Sequence, residues 1–543
     1  MKLFEIKQYQ QKTIMLSMKK NKTILAILLG LLAFSSISFS QTSPHDDSLQ
    51  AFILTPPVSD KPRINGAKVF GVRPESPFIY AIPVSGKRPM QITAKGLPEG
   101  LKLDANTGII TGKLTTKGIY PVVIKAKNSL GSAERNFKIV VGDDIQLTPA
   151  MGWNSWNCWG SSVNQEKVMH SAIGFIKNKL NEHGWTYINI DDAWQGVRGG
   201  SLNALQPDPK RFASMGALAD SIHAMGLKIG IYSTPWVRSY AGRLGGSAEN
   251  EKGEKDSLFT KKVKANAKVL PWAIGKYSFA KNDAQQFANW GIDYLKYDWG
   301  PVEAPETKEM ADAIKATKRD IVLSLSNNGS QTLLHNISEV APNAQSWRTT
   351  TDINDSWKSM SSIGFNQDKW APYTTPGHFS DPDMLVVGYV GWGKPHPTKL
   401  TADEQYTHIS LWSLLSAPLL LGCDLDKINP FTLSLITNDE VIDIDQDALG
   451  KQATKVYSKD SLDVFSKPLE DGGIAVGLFN RSSNMAKVSV SWKDLGIRGK
   501  WVVRDVWRQK DVADVSDKYE SEVASHGVVL VKLIHTTKIG RID

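Results

Sequence analysis

Cysteine is nearly absent: the 543-residue chain has two, Cys158 and Cys423. A disulfide framework is therefore excluded as the source of stability, and one bridge or two buried thiols are the open readings. Histidine and cysteine do not cluster at zinc-ligand spacing, and no glycine-rich loop opens a helix in the way that cradles phosphate, so neither of those two motifs is read from the text. The apolar run "ILAILLGLLAF" (Ile24 to Phe34) falls well short of the ~20 residues that cross a bilayer, so no stable membrane anchor is expected. An excess of one charge is lacking too. Of the formal +9, six lysines against Glu5 supply five before residue 23. The remainder gives no reason to expect nucleic acid as a partner.

What is present begins with a leader. "KKNK", the apolar run and the small residues "SSISFSQ" have the layout of a secretory signal peptide over 1–40, with Met18 as a candidate start and cleavage near Ser40. No cysteine follows the run, which argues against a lipoprotein anchor. Export to the periplasm or the outside of a bacterial cell is the expectation. The mixed, proline-bearing stretch 41–62 suits a linker.

From 63 to 142 short alternating runs are broken by glycine and proline ("FIYAIPV", "GIYPVVIKAKN", "RNFKIVV"), the pattern of a β-sandwich. From 148 to 445 strand-like segments alternate with helical ones. The strands are expected at 150–156, 186–194, 227–234, 293–300, 320–327, 345–352, 377–385 and 417–425. Eight strands with crossover helices over about 290 residues are the arithmetic of a (β/α)8 TIM barrel. Ser162 with Gln165 and Thr401 with Glu404 have the spacing of helix capping boxes. One connection is long, from Thr234 to about Ala280, and holds Trp236, Tyr240, Trp272 and Tyr277; a leaving-group subsite and a surface loop are equally open there. Strand-like runs return over 446–535, predicting a closing antiparallel β domain.

In a TIM barrel the active site gathers at the C-terminal ends of the strands. The polar and aromatic residues there are Trp156, Asp191, Asp192, Tyr232, Lys296, Asp298, Arg348, Asp352, Asp381 and Asp383. Paired carboxylates beside aromatic rings suit glycoside hydrolysis. A packing reading stands beside each: Asp191 and Asp192 as helix caps, Arg348 with Asp352 as a surface pair, Trp156 as core.

"MGWNSWN", "YINIDDAW", "GIYS", "YLKYDWG", "WRTTTDINDSWKS" and "DPDMLVVG", in that order, resemble the motifs of the melibiase-type α-galactosidases, family 27 of the glycoside hydrolases. The text from 63 to 142 resembles the immunoglobulin-like modules attached to secreted bacterial glycosidases. The resemblance implies a retaining double displacement on galactosides without metal or cofactor. Asp298 would be the nucleophile and Asp352 the acid/base. Trp156, Asp191, Asp192, Tyr232, Lys296, Arg348 and Asp383 would hold the sugar. Lys296 is expected to keep Asp298 ionised, while Asp352 is expected to be protonated at rest. The chain departs from the family in the fifth strand. Ser326 stands where the galactosidases carry a glutamate near the 2-hydroxyl, and Gly329 where a bulky side chain often sits. An α-N-acetylgalactosaminidase is therefore an alternative, with a β-L-arabinopyranosidase beside it. Asn327 or Asn328 is available to replace the lost hydrogen bonds. An inactive sugar-binding barrel is a reading of another class, against which both catalytic carboxylates stand.

Overall fold

The eight barrel strands form where the alternation of apolar runs and amphipathic segments places them. The computed structural model describes residues 49–253, 272–326 and 331–536, and the chain from Phe52 on forms one unit. The expected leader, Asn327, Asn328 and Gly329 lie outside the described residues. The strands are β1 (Met151–Asn154), β2 (Tyr187–Asn189), β3 (Lys228–Ser233), β4 (Tyr294–Asp298), β5 (Val322–Ser326), β6 (Ser346–Arg348), β7 (Phe379–Asp381) and β8 (Leu419–Leu421). Each pairs in parallel with its neighbours in chain order, and β1 also pairs with β8. The last seam, between β7 and β8, closes by a parallel bridge between Leu385 and Leu421: the Leu385 amide donates to Leu420 at 2.8 Å and the Gly422 amide to Leu385 at 3.0 Å. Because helices cover the outside and side chains fill the inside, the strands are buried on both faces and read as continuous apolar runs.

Most strands end earlier than the sequence suggests. β2 stops at Asn189, β6 at Arg348 and β7 at Asp381. The residues expected to extend them leave the ladder and turn across the barrel mouth.

The crossovers are α1 (Gln165–Lys177), α2 (Met215–Ala224), α3 (Ala280–Trp290), α4 (Ala304–Ala316), α5 (Gln331–Val340), α6 (Trp357–Gly364) and α7 (Ala402–Leu414), with α8 (Pro430–Ile436) after β8. Of the two expected capping boxes, one forms. Thr401 accepts from the Glu404 amide and Glu404 from the Thr401 amide, at 3.3 and 2.9 Å. Before α1 the cap is Asn164, whose side chain accepts from the Lys167 amide at 2.9 Å. Ser162 instead donates to the Trp159 carbonyl at 2.6 Å, because the helix begins one residue after the better-placed asparagine.

The N-terminal β region is a sandwich. A four-stranded sheet (Val69–Val72, Gly131–Val141, Gly118–Asn128, Gln91–Lys95) faces a three-stranded one (Pro77–Ala81, Ile109–Lys113, Leu101–Leu103) across Ile92, Ile110, Val122, Ile124, Phe137 and Ile139. It seats on the N-terminal end of the barrel. Phe70 lies 4.7 Å below the Lys228 ammonium at the start of β3, and Arg73 pairs with Asp320, just before β5, at 2.9 Å. The module is thus remote from the strand ends where chemistry is expected. The C-terminal region is a second sandwich, a six-stranded antiparallel sheet with a two-stranded partner (Ala486–Ser491 and Lys518–Val523) around Val476, Leu478, Val488, Val490 and Leu533. No helix among the described residues is long and apolar enough to cross a membrane. Cys158 and Cys423 are both buried, unpaired thiols.

The caps make opposite predictions. Thr401→Ala removes a cap and should cost about 1 kcal/mol, lowering the thermal midpoint in calorimetry, whereas Ser162→Ala should change stability by less than about 0.5 kcal/mol. Equal effects would contradict the assignment.

Candidate active site

Residues two apart on a strand share a face, so Tyr294, Lys296 and Asp298 of β4 all point into the barrel. Register places Tyr232 of β3 level with Lys296, and Ser326 of β5 level with Asp298. At the C-terminal mouth they meet residues released from the shortened strands. The result is a pocket of about 590 Å3 lined by Trp156, Asp191, Asp192, Tyr232, Lys296, Asp298, Arg348, Asp352 and Asp383. Of the residues expected at the mouth, Ser326 and Asp381 do not line it: both are buried, the serine beside Asp298.

Asn154, Asn157, Tyr240, Ile353, Met384 and Trp392 also line the pocket. Four of them sit inside the quoted motifs, so the signal was there to be used. Trp392 is different. It sits between two glycines with a left-handed φ of 49°, and its amide and that of Gly391 both donate to the Asn157 carbonyl, at 2.9 and 2.8 Å. The bond to another strand end that turns this tryptophan inward is not visible in local text.

The packing readings do not hold. Asp191 and Asp192 cap no helix. Asp191 Oδ1 accepts from the Asp192 amide at 2.8 Å, and Asp192 accepts from the amides of Ala193 and Ala241 at 2.6 and 2.7 Å. Arg348 is a buried fork, its side chain 5 % exposed, with Nη1 on Asp383 and Nη2 on Asp352, both at 2.9 Å. Trp156 is half-buried in the pocket wall. Besides Trp392, two non-glycine residues here have left-handed backbone, Ala193 at φ 83° and Asp383 at φ 93°. Conformations of that kind persist where surrounding contacts enforce them, and they gather at functional sites. For Asp383 the enforcing contacts are visible: its amide donates to Asp381 Oδ1 at 2.7 Å, its carboxylate accepts from the Ile353 amide at 2.8 Å, and its carbonyl accepts from Trp412 Nε1 at 2.7 Å.

The electrostatics reverse the expected proton placement. Lys296 does not pair with Asp298; its ammonium donates to Asp191 Oδ2 at 2.9 Å. Burial pushes the Asp298 carboxyl up to about 6, and the opposing pull of Lys296 is too weak to prevent it. Burial also raises Asp352, but there Arg348, and then Lys296, outweigh it and hold the group below the ordinary carboxylate range. The physical reason is exposure: the Asp352 side chain is 72 % exposed and beside a guanidinium, whereas Asp298 is buried. A single proton shared by the two carboxyls therefore favours Asp298, and Asp352 is the ionised partner. Burial raises Asp381, to about 6, and likewise Asp383 and Asp192.

The chain is similar to known proteins over the barrel and both flanking β domains. The family model described as Alpha galactosidase A matches residues 148–258 and 249–447, and the Alpha galactosidase C-terminal beta sandwich domain matches 459–533. An Ig domain model matches 61–142. Alpha-galactosidase 2 of Arabidopsis thaliana is 34 % identical over 403 residues, spanning 73 % of this chain and 92 % of the plant protein. The alpha-N-acetylgalactosaminidase of Gallus gallus is 31 % identical over 420 residues, spanning 71 % and 93 %. A crystal structure from Bacteroides fragilis, described as a candidate alpha-galactosidase/melibiase, superposes with a TM-score of 0.78 at 33 % identity, covering 90 % of this chain and all of that one. The GH27 β-L-arabinopyranosidase of Geobacillus stearothermophilus superposes with a TM-score of 0.61 at 29 % identity, covering 73 % and 98 %.

The raised carboxyl at position 298 has a stability consequence. Between the unfolded value near 3.8 and the folded value of about 6, the folded state binds the extra proton. Stability from this group is therefore full below the lower value and is lost as pH rises through the upper one. Asp298→Asn should be more stable than the parent at pH 7, by on the order of 3 kcal/mol, and the gap should close towards pH 4. A gap independent of pH in parallel melting curves would refute the burial argument.

Proposed function

The chain belongs to the α-galactosidase family, family 27 of the glycoside hydrolases, and from that premise we propose that it is an exported, retaining α-galactosidase acting on terminal non-reducing α-D-galactosyl residues. The observation that carries this reading is the convergence of Asp298 and Asp352 on one pocket, the first buried and the second facing solvent. A nucleophile belongs deep beside the anomeric carbon, and an acid/base belongs where a leaving group departs and water arrives.

In the first step Asp298 attacks C1, the bond from C1 to the leaving oxygen breaks, and Asp352 gives that oxygen its proton. In the second, water attacks C1, Asp352 takes a proton from the water, and the bond from Asp298 to C1 breaks. The reaction uses the arrangement with the proton on Asp352, the less favoured of the two singly protonated forms before substrate binds. A bound sugar that displaces water and draws on the hydrogen bonds of Arg348 moves the balance towards it. Asp191, Asp192 and Lys296 are assigned to the sugar's hydroxyls, Trp156 and Tyr232 to its ring, and Arg348 with Asp383 to the 2-hydroxyl side. Ser326, buried beside Asp298, is the residue whose small volume keeps an N-acetyl substituent in play.

The export reading rests on the leader text at 1–40. The functional domains are assigned as 63–142 for the immunoglobulin-like module, 148–445 for the catalytic barrel and 446–535 for the closing β domain.

Two tests follow from these assignments. Asp298→Ala should abolish turnover with an unchanged circular dichroism spectrum, and proton NMR of the wild-type reaction should show α-galactose as the first product. Measurable turnover by the variant, or β-galactose first, would sink the mechanism. On p-nitrophenyl substrates, kcat/KM for the α-galactoside should exceed that for the α-N-acetylgalactosaminide and the β-L-arabinopyranoside by at least about tenfold, which corresponds to roughly 1.4 kcal/mol of transition-state discrimination. A reversed order would make one of those sugars the substrate.

A further inference from the structure

The long connection between β3 and α3 builds an aromatic surface that the pocket itself does not explain. Trp236 is buried, at 6 % exposure, while Tyr240 and Trp272 are 36 % and 47 % exposed. Their rings form one cluster: Trp236 lies 5.2 Å from Tyr240 and 6.5 Å from Trp272, and Tyr240 lies 5.9 Å from Trp272 at 44°. Tyr240 belongs to both regions, since it also lines the pocket.

The cluster is fixed relative to the pocket. The residues flanking Tyr240 hold a pocket carboxylate: the Ala241 amide donates to Asp192 Oδ2 at 2.7 Å, and the Ser239 hydroxyl bonds the same side chain. The other end is zipped in place around Trp272. Trp236 bridges Ile274, the Val237 amide donates to Ala273 at 2.9 Å, and the Gly275 amide donates to Ser247 Oγ at 2.8 Å. Behind this zipper the buried pair of Arg198 and Asp283, at 2.6 Å, ties the connection to α3, and Arg198 also donates to the Gly245 carbonyl at 2.7 Å.

We propose that Tyr240 and Trp272 form a stacking shelf for the leaving-group sugar, so that the enzyme selects α-galactosyl units carried on a further pyranose. This rests on the assignment of Asp298 and Asp352 given above. The closed end of the pocket holds Asp191, Asp192, Asp298 and Asp383, all buried, whereas Asp352 and Tyr240 stand at the rim. With the galactosyl ring in the closed end and its scissile bond between the two catalytic aspartates, the leaving group has one way to project, outward past the rim. A pyranose presents axial C–H bonds on one face, and a tryptophan ring held in place by neighbouring rings offers matching apolar area with little ordering cost.

The test compares substrates that differ in the leaving group alone. Galactosyl transfer from α-D-galactosyl fluoride involves no leaving-group sugar, whereas melibiose places a glucose on the shelf. Trp272→Ala should lower kcat/KM on melibiose by about five- to tenfold relative to the fluoride, the size of one aromatic contact, chiefly through KM. Trp272→Phe should restore most of the loss. A parallel change on both substrates, or a variant altered in self-association alone, overturns the shelf. In an Asp298→Ala background, isothermal titration should show melibiose binding more tightly than galactose, and the advantage should vanish on adding Trp272→Ala. A wild type inactive on the fluoride would count against the catalytic assignment itself, and the binding comparison separates that failure from failure of the shelf.

Discussion

Charge balance in a largely buried space governs this barrel mouth. Six carboxylates, from Asp191, Asp192, Asp298, Asp352, Asp381 and Asp383, face the cations of Lys296 and Arg348. A buried carboxylate without a cation or hydrogen bonds is costly, and proteins meet that cost by pairing, by backbone donors or by retaining a proton. All three solutions are in use. Lys296 is committed to Asp191, and Arg348 is divided between Asp383 and Asp352. Backbone amides are spent on Asp192 and Asp381. Asp298 has the least of either and is raised to about 6 by burial, opposed by a lysine that bonds elsewhere. The left-handed backbone at Ala193 and Asp383 follows from the same constraint, since the amides must turn towards carboxylates instead of a sheet ladder.

The two ends of the barrel are closed by different parts of the chain. The N-terminal sandwich covers the floor through Phe70 against Lys228 and Arg73 against Asp320. The β3 to α3 connection builds up the rim. The floor contact buries a lysine and an aspartate that would otherwise meet water at the strand starts, which makes the module part of the barrel's packing on that side. The rim contact carries hydrogen bonds directly to a pocket side chain, so variation in that connection reaches the site without touching a barrel strand.

Much of this was legible in the text because short-range pattern carries it. All eight strands lie inside their expected segments, since a strand buried on both faces must be an apolar run. The strand ends were overestimated for a physical reason: apolar text continues into Ile190 and Leu385, which are buried after β2 and β7 have ended. Nine of the expected site residues converge because ordered motifs place them at successive strand ends. Proton placement was misread because period two shows that Lys296 and Asp298 share a face. It does not show that an aspartate beyond the end of β2 arrives at better distance. The cap before α1 went astray where Ser162 and Asn164 compete within one turn. Trp392 was missed because a carbonyl in the loop after β1 holds it in position.

The seam between β7 and β8 is joined by backbone only at its far end, through Leu385, after the chain has departed from Asp381 and bent through Asp383. Where other neighbouring strands share a ladder, this pair leaves a gap, and Asp383 occupies it with its carboxylate turned to the pocket. The missing rungs are therefore the geometric room for the site. The stretch that runs free of the ladder between Asp381 and Leu385 is what lets Asp383 take its left-handed backbone and present its carboxylate to the pocket.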